Sequence, residues 1–189
     1  NLVIKNKKKP VTCIIGGSKI STKISVITSL LEKIDNLIIV GAMANNFLVH
    51  KNLRVGKSLV ENNTKGIIEK IFKKAEENNC EIMLPEDCMV GTSFEGEGKV
   101  KSFDKIQDNE IILDIGSNTI IKIKDKINQS NTVLWNGPAG YFENEIFSRG
   151  SVSIAEIISK NTLERSMISV IGGGDTLAVI NKSKNKLSF

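Results

Sequence analysis

Hydrophobic positions along the chain follow two alternating periods. Continuous apolar runs predict buried strands at residues 11–15, 37–40, 81–84, 111–114, 132–135 and 167–171. Apolar residues three and four apart predict helices at residues 20–34, 44–49, 65–78, 119–127 and 151–159. We expect the third strand to run on toward Met89 and Val90 with Pro85 as a kink or an edge, before a polar, glycine-rich excursion over residues 92–105. Buried strands that alternate with helices indicate a parallel sheet covered on both faces.

Glycine and polar residues follow four of these apolar runs. They are Gly16-Gly17-Ser18-Lys19, Gly41-Ala42, Asn136-Gly137-Pro138 and Gly172-Gly173-Gly174-Asp175. Right-handed crossovers bring the carboxyl ends of parallel strands to one edge of the sheet, where ligands bind. Glycine at the end of a strand is also common for turn geometry alone, so this pattern leaves both a binding edge and simple turns open.

The segment from Gly16 to Lys23 has two interpretations. Glycines let backbone amides approach a phosphate, and a helix beginning near residues 18–21 would direct its free N–H groups at an anion. Lys19 and Lys23, if both are helical, lie one turn apart on one face and grip neighbouring phosphates. The alternative is a capped helix with two solvated lysines.

The string Trp135-Asn136-Gly137-Pro138-Ala139-Gly140-Tyr141-Phe142-Glu143 is the most distinctive in the chain. Pro138 between two glycines makes a rigid corner that can pack against a flat base or sugar, and Glu143 can then accept hydrogen bonds from ribose hydroxyls. A structural turn beside a buried Trp remains the alternative.

Composition narrows the classes of function. The chain of 189 residues has 40% hydrophobic residues and a net charge of +5, with no apolar run long enough to span a bilayer, so we expect a cytoplasmic protein that binds no membrane. One Trp and one Tyr give no stacking platform for nucleic acid. The three cysteines are expected to be buried reduced thiols, and His50 has no zinc-binding partner nearby. Gly56-Lys57-Ser58 lacks the earlier glycine of a P-loop.

Taken together, the motifs resemble the C-terminal, nucleotide-binding domain of phosphoglycerate kinases. The resemblance covers residues from about 10 to the end of the chain, with the motifs in the family's order. The motifs that carry it are Gly16-Gly17-Ser18-Lys19-Ile20-Ser21-Thr22-Lys23, Gly56-Lys57-Ser58-Leu59-Val60-Glu61, Leu113-Asp114-Ile115-Gly116, the string from Trp135 to Glu143, and Gly172-Gly173-Gly174-Asp175-Thr176.

The resemblance implies a fold and a reaction. The fold is a three-layer α/β/α, Rossmann-like, doubly wound parallel sheet with strand order 3-2-1-4-5. Residues 1–189 would be the nucleotide-binding domain of a two-domain kinase, without its N-terminal domain and its sixth strand. The reaction is phosphoryl transfer between 1,3-bisphosphoglycerate and Mg-ADP in glycolysis. The family further implies a monomeric enzyme whose missing N-terminal domain binds 3-phosphoglycerate.

The resemblance also assigns roles to individual residues. Lys19 would follow the transferred phosphoryl group as the catalytic lysine, and Asp175 would coordinate Mg²⁺. The remaining positions would bind ATP or ADP: Gly16, Gly17, Lys23, Gly41, Leu113, Asn136, Pro138, Glu143, Gly173, Gly174, Asp175 and Thr176.

Two departures from the family pattern narrow the activity expected of this chain. Ala42 replaces a glycine, and its methyl group is expected to crowd the adenine wall and weaken binding at most. The second departure is that half of the family's active site is absent. The chain is therefore expected to be either part of a phosphoglycerate kinase that needs its other parts or a fragment that binds nucleotide without catalysis. A basic domain recruited to nucleic acid is a third alternative.

Overall fold

The structure, a computed structural model, describes residues 7–183 and 187–189, and this part of the chain forms eight strands and six α-helices. In chain order the elements are β1 (Val11–Ile15), α1 (Ile24–Leu30), β2 (Asn36–Ile39), α2 (Ala44–His50), α3 (Lys65–Glu77), β3 (Glu81–Met83), β4 (Asp87–Gly91), β5 (Lys99–Ser102), β6 (Ile111–Ile115), α4 (Ser117–Asn128), β7 (Thr132–Asn136), α5 (Arg149–Arg165), β8 (Ile168–Gly172) and α6 (Gly174–Lys182). Two short 3-10 helices cover Phe103–Lys105 and Glu145–Phe147.

The main sheet has five parallel strands in the order β3-β2-β1-β7-β8. Ile14 of the central strand pairs with Ile38 on one side and with Trp135 on the other. Cys13 and Ile15 pack under α1, α2 and α3, whereas Ile14 packs under α4, α5 and α6. The predicted three layers and the order of the five parallel strands are therefore confirmed, with β7 and β8 as the fourth and fifth strands. β8 forms one edge of this sheet, and its residues are only half-buried.

A second, three-stranded antiparallel sheet corrects one prediction. β6 pairs with β4, which pairs in turn with β5, so the apolar run at residues 111–114 does not belong to the parallel sheet. Pro85 does not kink a continuous strand: β3 ends at Met83, and β4 begins at Asp87 in the other sheet. Within the excursion at residues 92–105, Lys99–Ser102 forms the exposed strand β5. A short buried apolar run is compatible with either strand direction, so periodicity alone did not separate the two sheets.

Two helices differ from the sequence-based expectation. α1 begins at Ile24 rather than at residue 20, because residues 20–23 form a separate turn in which the Lys23 N–H donates to the Ile20 carbonyl at 2.9 Å. α6, which directly follows the glycine segment of β8, was not predicted. No helix in the described ranges, 7–183 and 187–189, is both long and apolar enough to cross a bilayer.

All three cysteines are buried and free, as predicted. Burial raises the pKa of the Cys13 and Cys88 thiols to about 12 and that of Cys80 to about 11. These thiols therefore stay protonated near neutral pH and act as small apolar side chains in the core.

Candidate functional site

The ends of β1, β2 and β7 meet in a tight contact between backbone segments. The Gly16 N–H donates to the Asn136 carbonyl at 2.9 Å, and the Gly41 N–H donates to the Ala139 carbonyl at 3.1 Å. A Cβ atom on Gly16 would lie 2.1 Å from the Pro138 oxygen, and Gly137 has a φ of 98°. Packing of the protein against itself thus requires glycine at residues 16 and 137, whatever binds at this edge.

A polar cleft of about 230 Å³ opens beside these strand ends. Its lining comprises Gly17, Ser18, Lys19, Thr22, Lys23, Asn136, Gly137, Pro138, Gly173, Gly174, Asp175 and Thr176. The polar cleft therefore brings together residues that follow β1, β7 and β8, as the sequence predicts for the carboxyl edge of a parallel sheet.

Lys23 is the half-buried cation of the polar cleft. Its Nζ donates to the Gly16 carbonyl and to Asn136 Oδ1, both at 2.8 Å. Burial lowers the pKa of Lys23, and the charge of Asp175 works against this shift and favours the ammonium form. These contacts fix the amine at the junction of the β1 and β7 turns before any ligand arrives.

Lys19 lines the same cleft but does not share a helix with Lys23. It lies in the loop before the turn at residues 20–23, where its carbonyl accepts a hydrogen bond from Thr22 Oγ1 at 2.9 Å. The predicted arrangement of two lysines one helical turn apart is wrong, although both still line one cleft.

The segment after β8 forms the opposite wall of the polar cleft. Gly173 has a φ of 93°, which favours glycine, and Asp175 is exposed in the first turn of α6. A Cβ atom on Gly174 would meet nothing within 4 Å, so the protein's own packing does not require glycine there. Thr176 is buried, and its Oγ1 accepts a hydrogen bond from the Gly137 N–H at 2.7 Å. This bond ties the β8 wall to the β7 turn.

A larger, mainly apolar cavity of about 530 Å³ continues from the polar cleft. The two share Gly17, Ser18, Pro138 and Asp175 as lining residues. Gly41, Leu113 and Glu143 also line the apolar cavity, together with Phe94 and Tyr141, whose ring centroids lie 4.9 Å apart. The combined space has one apolar compartment and one polar compartment that contains two lysines.

Asp114 is a buried carboxylate in the wall of the apolar cavity. Its side-chain oxygens accept hydrogen bonds from the Gly150 N–H at 2.7 Å and from the Ile115 N–H at 2.9 Å. Burial raises the pKa of Asp114 to about 7, against the opposing effect of these two donors and of Arg149. A Cβ atom on Gly140 would lie 2.5 Å from Asp114 Oδ1, so the carboxylate is packed between β6, the 138–143 turn and the start of α5.

Most of the residues selected from the sequence meet in this space. Gly17, Lys19, Lys23, Asn136, Pro138, Gly173, Gly174, Asp175 and Thr176 line the polar cleft, while Gly41, Leu113 and Glu143 line the apolar cavity. Gly16 lines neither the polar cleft nor the apolar cavity; it lies beneath the lining residues, where its backbone contacts that of Pro138.

Sequence reasoning missed several lining residues. Asn45, Phe94 and Tyr141 line the apolar cavity, and Ser18 lines both compartments. Phe94 carried no signal because it lies in the polar excursion between β4 and β5 of the antiparallel sheet, and follows no strand of the parallel sheet. In the structure, Phe94 is an exposed aromatic side chain in an otherwise polar segment, and this exposure is the property that indicates a role in binding.

No group of three or more histidine, cysteine or acidic side chains that could hold a metal occurs in the described part of the chain. Asp175 is a single exposed carboxylate beside the polar cleft. Mg²⁺ usually binds through one or two carboxylates together with phosphate oxygens and water. The donor set therefore fits a magnesium ion that arrives with a phosphorylated ligand and does not fit a permanently bound metal.

The fold and the cavity together define a Rossmann-like α/β domain with a two-compartment site at the carboxyl edge of its parallel sheet. The phosphoglycerate kinase family model matches residues 1–189. The phosphoglycerate kinase of Wolbachia pipientis subsp. Culex pipiens is 44% identical over 174 residues, which are 92% of this chain and 44% of that protein. The phosphoglycerate kinase of Bartonella tribocorum is 39% identical over 178 residues, 93% of this chain and 45% of that protein. The chain belongs to the phosphoglycerate kinase family.

Solved structures agree with this assignment. Phosphoglycerate kinase from Coxiella burnetii superposes with a TM-score of 0.88 at 39% identity, covering 94% of this chain and 45% of that one. The Pyrococcus horikoshii enzyme gives a TM-score of 0.73 at 26% identity, covering 94% of this chain and 45% of that one. The chain thus spans less than half the length of the relatives it matches.

Proposed function

We propose that this chain is the nucleotide-binding domain of a phosphoglycerate kinase and holds Mg-ADP or Mg-ATP at the carboxyl edge of its parallel sheet. The observation that carries the proposal is the continuity of the 530 Å³ apolar cavity with the 230 Å³ polar cleft. An apolar compartment suits a base, and a cleft with two lysines suits the phosphates attached to it.

The individual roles are proposed from where each side chain lies. Hydrogen bonds hold the Lys23 amine at the junction of the β1 and β7 turns, where it would bind the nucleotide's phosphates. The more exposed Lys19 would accompany the transferred phosphoryl group. Pro138 and Leu113 would contact the base and ribose, and Glu143 would accept hydrogen bonds from the ribose hydroxyls. Gly17, Gly173 and Gly174 would leave room for the ligand, Asn136 holds Lys23, and Thr176 holds the two walls together. Gly41 has a φ of 70° and permits a close backbone contact with Gly17 and Pro138 in the cavity wall. Gly16 acts indirectly, by permitting the backbone contact.

Magnesium would enter as part of the substrate. Asp175 supplies one carboxylate at the polar cleft, and the phosphate oxygens and water would supply the other ligands. When bound, the ion neutralises charge on the phosphate oxygens, while Lys19 and Lys23 of this chain add fixed positive charge and orientation.

The whole enzyme would transfer a phosphoryl group between 1,3-bisphosphoglycerate and ADP. The bond from phosphorus to the acyl oxygen breaks, and a bond to the terminal oxygen of ADP forms. This chain spans 44% of its relative, and the 3-phosphoglycerate site would lie in the part of the relative that it does not cover. We therefore expect residues 1–189 by themselves to bind nucleotide without turnover. The monomeric state and a role in glycolysis belong to the same proposal.

Calorimetric titration of the chain with ADP, with and without Mg²⁺, tests the proposal. We expect Mg²⁺ to strengthen binding in the wild type and Asp175→Asn to remove that gain, because the carboxylate is the metal's protein ligand. Asp125→Asn is the matched control, since Asp125 is exposed on α4, away from both compartments. Binding that is indifferent to Mg²⁺ in the wild type, or equally weakened in both variants, would refute the assignment.

A further inference from the structure

Glu61 contacts the loop that carries Lys19 from the side away from the polar cleft. It is half-buried, and it lines neither the polar cleft nor the apolar cavity. Its Oε1 accepts a hydrogen bond from Ser21 Oγ at 2.5 Å, and its Oε2 accepts one from the Ser21 N–H at 3.2 Å. Both carboxylate oxygens therefore bind one residue of the segment 18–22, which we call the lysine loop.

The backbone of Glu61 is anchored to α2. Its N–H donates to Oδ1 of Asn46 at 2.9 Å, and Asn46 is 2% exposed. The same Oδ1 accepts a hydrogen bond from Thr64 Oγ1 at 3.3 Å, and Nδ2 of Asn46 donates to the Met43 carbonyl at 3.3 Å. The Glu61 carboxylate thus reaches the lysine loop from a buried, hydrogen-bonded part of the fold.

The lysine loop has one apolar and one polar anchor. Ile20 is fully buried and belongs to the core under α1, α2 and α3. In the part of the chain that the structure describes, Glu61 is the only side chain from outside the lysine loop that hydrogen-bonds to it. Ser18, Lys19 and Thr22 of the same loop line the polar cleft. Packing of Ile20 and the hydrogen bonds of Glu61 therefore set how this wall of the cleft is presented.

The charge of Glu61 by itself would oppose a phosphate ligand. Burial acts to raise the pKa of Glu61, but hydrogen bonds from Ser21 and Ile20 and the charge of Lys19 together keep it below its ordinary value. The group is therefore a carboxylate near neutral pH, and its repulsion of nearby phosphates would weaken their binding. Any favourable effect of Glu61 on the site must come from its hydrogen bonds to the lysine loop.

We propose that Glu61 is a positioning residue that holds the lysine loop so that the ammonium group of Lys19 faces the phosphates of Mg-ATP. Without these hydrogen bonds the loop would have to be ordered when the nucleotide binds, and the cost of that ordering would lower the affinity. The inference rests on the proposed nucleotide site and adds a residue that acts on the ligand through another side chain.

Calorimetric titration of the 189-residue chain with Mg-ATP tests the inference. We expect Glu61→Ala to weaken binding about tenfold, because the loop loses both hydrogen bonds and is no longer preorganised. Coulomb's law alone predicts the opposite sign, since the substitution removes a negative charge. Ser21→Ala removes one of the two bonds and keeps the carboxylate, so it should weaken binding by less and is the milder variant if Glu61→Ala does not fold.

Glu76→Ala is the matched control, because it removes a carboxylate that is exposed on α3 and lines neither compartment. We expect it to leave the affinity for Mg-ATP at the wild-type value. Thermal melts establish that each variant folds.

A Lys19→Met background separates positioning from a general structural effect. If Glu61 acts by holding Lys19, neither Glu61→Ala nor Ser21→Ala should weaken binding further once the ammonium group is absent. Equal weakening in both backgrounds, or unchanged or tighter binding in the folded single variants, would overturn the inference while leaving the nucleotide site in place. Failure of the wild type to bind Mg-ATP would overturn the site and the inference together.

Discussion

Lys23→Met tests the electrostatic basis of the polar cleft. The substitution keeps the length of the apolar stem and removes the ammonium group, which lies 2.8 Å from both the Gly16 carbonyl and Asn136 Oδ1. The same group faces the space assigned to the phosphates. The change should therefore affect both the local structure and the affinity for nucleotide, and the two effects can be measured separately.

The magnitude is set by Coulomb's law at a partly buried position. Two unit charges about 4 Å apart interact by about 4 kcal/mol at an effective dielectric constant of about 20. Desolvation of the amine when a phosphate binds offsets roughly half of this, so a net loss of about 2 kcal/mol, or about 30-fold in Kd for Mg-ADP, is expected. The loss should shrink as ionic strength rises.

Calorimetry on the folded variant provides the assay, and a thermal melt checks the fold. Lys70→Met is the control, because Lys70 is exposed on α3 and lines neither compartment. If Lys23 serves only to join the β1 and β7 turns, Lys23→Met will lower the melting temperature and leave the affinity for Mg-ADP unchanged. That result would refute the argument that the amine is held there for a phosphate.

Three further predictions address other parts of the site. Thr176→Val leaves the buried Gly137 N–H without its acceptor and should cost about 1–3 kcal/mol in the free energy of unfolding by urea; no loss would contradict the wall-to-wall bond. The pKa of Asp114 is about 7 when folded against an ordinary 3.8, so the folded state holds this proton more tightly. The contribution of the protonated Asp114 carboxyl to the free energy of unfolding is fully present below the ordinary pKa. It is lost as pH rises through 7, by at most about 1.4 kcal/mol per pH unit. The unfolding free energy of wild type relative to Asp114→Asn should fall across that range, and a constant difference would contradict it. Ala42→Gly should strengthen Mg-ADP binding in calorimetry if the methyl group crowds the base, and weaker binding would show that it makes a useful contact.

The sequence predicted the parallel sheet well because its inner strands β1 and β2 are buried on both faces. Every residue of β1 and β2 is buried, so each strand reads as a continuous apolar run followed by glycine. Because all parallel strands end at one edge, the residues after them could be grouped into one site without knowledge of the side-chain contacts.

The antiparallel sheet was not recovered for an equally physical reason. β5 is mostly exposed and alternates lysine with other residues, which leaves no apolar signal, and β6 reads like a core strand of the main sheet.

The roles of individual glycines also could not be predicted from the sequence. Gly16 and Gly174 look alike in sequence, yet one is required by a backbone contact and the other faces open space. Such differences arise from tertiary packing, which spacing along the chain does not encode.

The most direct test of the proposed nucleotide site is an experimental structure of the chain with Mg-ADP bound. We expect the base in the apolar cavity beside Leu113 and Pro138, and the phosphates in the polar cleft with Lys23 and Asp175 on either side. A nucleotide bound on another surface, or no bound nucleotide at millimolar Mg-ADP in a well-folded chain, would contradict it.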